Sequence, residues 1–503
     1  MPRSTEPRLT DDNLEELLGG GNSPTNQFKL YNLRFLILAI FTFSTLSNAS
    51  LWTTLAPIST DASKYFFDED GSRKQTINLC SLMYQICYLP GTIVASILTV
   101  RGGLRSTVLV GSMLTAFGAS IRYFSVFFLG GTPTSYVIVV VGQSFAAFGQ
   151  PMFVNSPGLL AANWFGANER DAATTVASLG AIIGNAVGQL VPPALVSSDE
   201  ANHVNGMENL MLIQAGIAFA ICLLVHFGFY SNPITPPSQS TTDRDIHNNQ
   251  AKKNRRISRH SEKEKDEMVS FTNNGGGDDK SVLDSLDLLY NSARDLMGNR
   301  DYVILLGAFG VGLALFNGLL TVINNFLEPC GYSEDEAGNY AAALIAAGLL
   351  GAIVCGVLME IYHVYRSLLK VLYLCGTLAT LFLIFQVDTN NYNNLLLSFA
   401  MMGFCFIPML PTIIENAIEC TYPCTEELSA GLLFTVGNVL GIPMTFVMQY
   451  LIDWGNSFYG SNVCGNPFTA INLLIFGTSC CCCLLSFFYQ GQYLRQKAEQ
   501  GLK

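Results

Sequence analysis

Asn48, Gln143, Gln150, Asn185, Asn317 and Asn438 each interrupt a long apolar run with a carboxamide. Polar side chains in hydrocarbon are costly and usually turn towards the interior of a helix bundle. Their spacing is helical: Asn48 lies four residues before Trp52, Gln143 seven before Gln150, and Asn185 four before Gln189. Hydrogen bonds between helices account for any single amide equally well, at about 0.6 kcal/mol each. Five amide-bearing helices taken together point instead to a lined cavity. Trp52 adds an aromatic face, which attracts a quaternary ammonium by up to about 2 kcal/mol once desolvated. A ring for the charge and amides for an oxygen would suit a small hydroxylated cation. No nucleophile–base pair and no metal-ligand spacing accompanies these residues, so neither an enzyme nor a cofactor is expected.

A second set is charged and gathers at helix ends. Glu415 and Glu419 close one apolar run a turn apart, and Glu426 and Glu427 open the next. Arg101, Arg105, Glu169 and Arg170 fall in loops expected on the same side. Acids at a helix start complement its dipole, a purely structural role open to Glu426 and Glu427. The favoured reading is a gate, with Arg101 and Arg105 latched by the acids at 415–427.

Composition says what must carry these side chains. Of 503 residues 50% are hydrophobic and 13% charged, against about 25% charged in soluble domains. Eleven of the 27 Lys/Arg and eleven of the 38 Asp/Glu fall between Asn232 and Arg300. The remainder cannot clothe a water-soluble surface. A soluble enzyme, a disordered chain and, at a net charge of −11, a nucleic-acid binder are excluded. The lipid bilayer is the expected surrounding.

A spanning helix needs about 20 largely apolar residues. Twelve runs qualify: 33–58, 76–99, 106–129, 134–160, 172–196 and 209–231, then 301–326, 337–361, 367–387, 393–418, 427–453 and 467–488. The expected class is an all-α polytopic membrane protein, with 12 transmembrane helices in two six-helix bundles. Its parts are a tail over 1–32, a bundle over 33–231, a linker over 232–300, a bundle over 301–488 and a tail over 489–503. No cleavable signal precedes the first run. With the amino terminus in the cytoplasm, inner segments outside the linker carry twelve Lys/Arg, and outer loops three (Lys64, Arg73, Lys74). Both termini and the linker are therefore expected inside. Gly184-Asn185-Ala186-Val187-Gly188 is echoed six runs later by Gly437-Asn438-Val439-Leu440-Gly441, as two related halves would produce. The linker reads as disordered up to an amphipathic helix bearing Val282, Leu286, Leu289, Ala293 and Leu296 on one face.

Most of the 14 cysteines lie inside apolar runs and read as small hydrophobes. Cys330 and Cys464 fall in loops on the outer side, where pairing is open to them, but spacing alone leaves it undecided. Glu15-Glu16-Leu17-Leu18 is similar to an acidic di-leucine sorting signal, and a short amphipathic turn explains it equally well. Plasma membrane and lysosomal or vacuolar membrane both stay open.

Three stretches resemble the major facilitator superfamily and, within it, the feline leukaemia virus subgroup C receptor-related family with its disrupted-in-renal-carcinoma branch. They are Asn48-Ala49-Ser50-Leu51-Trp52 running on to Ile58, Gly142-Gln143 through Trp164-Phe165-Gly166 to Val191-Pro192-Pro193, and Glu419-Cys420-Thr421-Tyr422-Pro423 with its tail to Leu433. The similarity covers Leu33 to Gln490 apart from the linker. It implies the major facilitator fold and transport of a small organic solute by alternating access. Choline or ethanolamine comes first, with haem and vitamin B6 as alternatives. The chain departs from the family pattern at three places. Val100 stands where an Asp is usual, Phe316-Asn317 where a Phe-Tyr pair is common, and Asn438 where a Gln is common. With that Tyr missing, Phe309 is the nearest second wall for a cation. The competing class is a receptor or sensor that keeps the fold without transporting. A monomer is expected.

Overall fold

The computed structural model describes residues 30–67, 74–166, 169–196, 203–233, 235, 290–362, 364–389, 391–422, 424, 426–459 and 464–499. Among these the chain is helical, with no strand. Eleven helices are long and apolar enough to cross a membrane. One of them, Leu79–Leu129, has 51 residues, roughly 76 Å at 1.5 Å per residue, more than twice a bilayer core. It reverses at Gly103, whose φ of 72° and ψ of −179° suit only glycine. That bend divides the helix into two arms, each long enough to cross, so the described residues hold twelve candidate spans.

Span one is Leu33–Thr53, spans two and three are the arms of Leu79–Leu129, and span four is Pro133–Val154 continued by Pro157–Trp164. Spans five and six are Arg170–Leu195 and His203–Gly228. Spans seven to nine are Arg300–Leu327, Glu334–Tyr362 and Tyr365–Gln386. Span ten is Tyr392–Phe406 continued by Met409–Thr421, and spans eleven and twelve are Glu426–Tyr459 and Ala470–Phe488. Each matches its apolar run within a few residues, except that span six starts earlier and span eleven ends later. Two short helices, Ser59–Phe67 and Lys74–Ile77, lie on the side opposite the linker.

The cores follow the two halves. Three buried clusters contain first-half residues only. The other two are built by the second half, with Leu179 and Tyr88 reaching in from the first. Exposed Phe117, Phe227, Leu350, Phe446 and Leu484 belong to the apolar outer surface that such a bundle turns to lipid.

The repeated glycine motif is a packing device. A Cβ at Gly184 would lie 2.4 Å from the Leu46 carbonyl oxygen, and one at Gly188 2.4 Å from that of Ser50. Only glycine lets spans one and five approach so closely. Gly437 of span eleven faces span seven, with Leu313 Cδ2 2.6 Å from where its Cβ would be, while Gly441 faces Gln85 of span two. At its first glycine the echo marks the same helix pair in each half.

Cys330 and Cys464 are joined in a disulfide, Cα–Cα 5.4 Å, tying the end of span seven to the loop before span twelve. Before span seven the chain is helical over 290–298, with Leu296 buried and Tyr290 and Met297 exposed. Val282, Leu286 and Leu289, with the rest of 236–289, and Glu15–Leu18 lie outside the described residues.

Candidate functional site

A cavity of about 130 Å³ lies between the halves. At roughly 10–15 Å³ per water-sized group it has room for a solute of some ten heavy atoms. Its position follows from two broken helices. Span four stops at Val154 and restarts at Pro157, and span ten stops at Phe406 and restarts at Met409; all four residues line the cavity. Pro157 opens the second piece of span four and Pro408 caps that of span ten, helix-start positions where the missing N–H costs nothing and a continuous helix would lose a hydrogen bond. Discontinuous helices at matching places in two halves are a common foundation for transporter sites.

Six of the eight amides and aromatics singled out from sequence reach this cavity. Trp52, Gln150 and Asn185 come from the first half; Phe309, Asn317 and Asn438 come from the second. Asn48 and Gln143 do not. The Asn48 amide donates to Thr115 Oγ1 at 2.9 Å and to the Ala146 carbonyl at 2.8 Å. The Gln143 amide donates to the Leu51 carbonyl at 2.9 Å. Both lock span one inside its own bundle, the interhelical role that any one amide can fill.

Trp52 is held from behind. Its indole N–H donates to the Ser81 carbonyl at 3.1 Å, and its ring stacks on Tyr84 with centroids 6.1 Å apart. Tyr84 is itself fixed by donating to the Asn48 carbonyl at 3.1 Å. Asn48 therefore supports the site through its backbone. Tyr88, Phe316, Tyr373, Phe406 and Phe434 complete an aromatic lining. Tyr88 donates to Asn155 Oδ1 at 2.7 Å and lies 6.3 Å from Phe434 across the boundary of the halves. The aromatic wall thus does not depend on Phe309 alone. Through Tyr373 span nine reaches the cavity as well.

Polar capacity is sparse and uncharged. The Asn185 side-chain oxygen Oδ1 is buried without a hydrogen-bond partner, its backbone carbonyl accepts from the Thr53 hydroxyl at 3.1 Å, and the Asn438 amide donates to the Phe434 carbonyl at 2.9 Å. No Asp, Glu, Lys, Arg or His lines the cavity among the described residues. A solute's charge would meet only ring faces and amide dipoles.

The charged set gathers at the linker-side ends of the spans, with a different partner from the expected one. Arg105 turns away from the acids: it donates to the His226 carbonyl at 3.1 Å and lies over the Tyr230 ring at 5.7 Å. It staples the bend at Gly103 to the end of span six, because its loop sits beside that helix. Arg101 is exposed. Glu169 pairs with Arg34 at 3.0 Å within the first half. Arg170 is buried. Glu427 is buried and hydrogen-bonded to Thr99 of span two, while Glu426 begins span eleven beside it. Glu415 and Glu419 instead meet Arg495, at 2.9 Å and 3.0 Å, and Asp171 of span five stands 3.8 Å from the same guanidinium. Arg495 had no signal in the sequence beyond being one of three basic residues in a short polar tail.

The Major Facilitator Superfamily model matches residues 36–423. A choline/ethanolamine transporter of Danio rerio, flvcr2a, is 28% identical over 484 residues, 95% of this chain and 91% of that protein. The choline/ethanolamine transporter FLVCR2 of Homo sapiens is 26% identical over 90% of this chain and 78% of its own. Solute carrier family 49 member A3 of Xenopus tropicalis is 26% identical over 95% and 91%. Among solved structures, the proton:xylose symporter XylE aligns with a TM-score of 0.66 at 12% identity, covering 92% of this chain and 98% of that one. The E. coli fucose:proton symporter FucP aligns at 0.61 and 13%, covering 92% and 100%.

Proposed function

The chain belongs to the major facilitator superfamily as a multi-pass membrane transporter, and from that premise we propose that its solute is a small hydroxylated cation of the choline and ethanolamine class. The observation that carries this reading is an uncharged cavity walled by a pinned indole and several other rings. Ring quadrupoles hold a quaternary ammonium without a counter-charge, so no carboxylate must be desolvated and the solute can leave again. Gln150, Asn185, Asn317 and Asn438 supply the polar contacts for a hydroxyl. Two of the relatives, flvcr2a and FLVCR2, are choline/ethanolamine transporters. Haem is less favoured, because no His lines the cavity among the described residues to ligate its iron. Pyridoxine is the second reading, favoured by the unpartnered Asn185 oxygen as an acceptor for its hydroxyls.

In this reading the linker and both termini are cytoplasmic. The excess of Lys/Arg on that side supports it, as does a disulfide on the other, since disulfides persist in oxidising compartments. The membrane is the plasma membrane or that of a lysosome or vacuole. The protein acts as a monomer, because one chain completes the cavity.

Uptake of labelled choline and pyridoxine into proteoliposomes containing the purified protein tests this. Saturable choline uptake, competed by ethanolamine but not by a neutral isostere, is expected. Equal competition by the isostere would remove the cation reading. Binding without uptake would favour a receptor on the same fold.

A further inference from the structure

The linker-side junction is bridged by a side chain that belongs to neither bundle. Carboxylates converge there from both halves: Asp171 from span five, and Glu415 and Glu419 from span ten. Arg495, in the short helix Leu494–Glu499 beyond span twelve, stands between them. Its Nε lies 3.0 Å from Glu419, and its Nη2 lies 2.9 Å from Glu415 and 3.8 Å from Asp171. All four side chains are at most 6% exposed. Burial alone would lower the Arg495 pKa, but Glu415, Glu419 and Asp171 more than offset it and hold it well above the ordinary value. Arg170, beside Asp171 in sequence, reduces the local excess of negative charge, and three acids still share the Arg495 guanidinium.

The tail travels with the second half. The Gln496 backbone N–H donates to Glu419 Oε2 at 3.2 Å. Tyr493 accepts from the Arg366 N–H at 3.0 Å, and its ring packs edge-on against Tyr365. When the halves part, Arg495 keeps Glu415 and Glu419 and leaves Asp171. Tyr365, which donates to Asp171 Oδ2 at 2.6 Å, leaves it at the same moment.

We propose that Arg495 is a transport residue: the tail guanidinium latches the closed linker side by neutralising carboxylates that would otherwise repel across the junction. Removing one partner from a buried ionic cluster leaves charge without compensation, the costly way to break it. Displacing the tail therefore opens the cavity to the linker side. The proposal rests on the cavity opening alternately to the two sides and not on which solute fills it.

The test uses the full chain in proteoliposomes. Ser178→Cys places a thiol on the span-five wall of the cavity, and an impermeant maleimide is applied from the linker side, with labelling followed by mass spectrometry of that peptide. Slow labelling is expected with Arg495 intact. Arg495→Gln should raise the rate about tenfold or more, and Arg495→Lys by less. Adding Asp171→Asn to Arg495→Gln should slow labelling again, because the acid left facing Glu415 is gone. Loss of tail packing alone would not produce that reversal. An unchanged rate in monodisperse Arg495→Gln protein, or no reversal in the double variant, overturns the latch. Should Arg495→Gln not fold, Asp171→Asn alone decides: it leaves Arg495 on the second half and should speed labelling severalfold, and no change overturns the proposal. Choline affinity measured in parallel keeps the two readings apart. Its absence would remove the solute and leave the latch standing.

Discussion

An indole tied at its N–H and stacked from behind has little freedom left to lose when a ligand arrives. Trp52 is such a residue, held by Ser81 and Tyr84, so its remaining face is organised before binding. Trp52→Ala should cost about 1–2 kcal/mol of choline affinity, roughly five- to thirtyfold. Trp52→Phe should keep part of it. Thermal shift against a choline titration measures both, and an undiminished shift in well-folded Trp52→Ala protein would show that the ring only packs. At this scale the sequence was half legible. An amide in a membrane helix announces that it faces inward. It does not say whether inward means the cavity, as for Gln150, or a neighbouring helix, as for Gln143 two turns away on nearly the same face. That depends on which carbonyls lie within reach, and the carbonyls that hold Gln143 and Asn48 belong to other spans. The tyrosines at 84, 88 and 373 were passed over because aromatic residues are ordinary in apolar runs. Only packing reveals that two of them turn towards the same space.

Helix contacts were more legible where the sequence repeats itself. The first glycine of the Gly-Asn-x-x-Gly echo faces the counterpart helix in each half, but backbone closes on it only at Gly184, while Gly437 meets the tip of the Leu313 side chain. The price of ignoring it can be measured. Gly184→Ala would bring a Cβ to 2.4 Å from the Leu46 oxygen and 2.8 Å from Ala49 Cβ. Neither neighbour is the tip of a flexible side chain, so backbone must shift, at about 1–3 kcal/mol. Gly216→Ala in span six meets nothing within 4 Å and should be neutral or stabilising by about 0.5–1 kcal/mol. Melting temperatures in detergent should move in opposite directions, and equal shifts would contradict the close packing of spans one and five. The helix breaks were not legible from hydropathy, because the apolar run continues through Asn155 and Pro408 without a gap. Pro157 and Pro408 were the available signal, and their matching place in spans four and ten gave it meaning.

The molecule as a whole moves as two bodies if each half is tied mainly to itself, and the disulfide tests that division. Cys330 and Cys464 both belong to the second half and lie on the side away from the Arg495 junction. The bond encloses a sequence separation of 134 residues, containing spans eight to eleven. It restrains the unfolded chain strongly while crossing no boundary between the halves. Replacing both cysteines, Cys330→Ser with Cys464→Ser, should therefore lower stability by about 2–4 kcal/mol. Choline affinity and uptake rate below the melting temperature should stay within about twofold, since a rigid half needs no new contact to rock. Calorimetric unfolding and proteoliposome uptake measured on one preparation compare the two quantities. A variant with near-normal melting and much slower uptake would mean that the loop before span twelve takes part in opening the outer side. The halves could not then be treated as rigid, and the Arg495 junction would be one of two controls on the cycle.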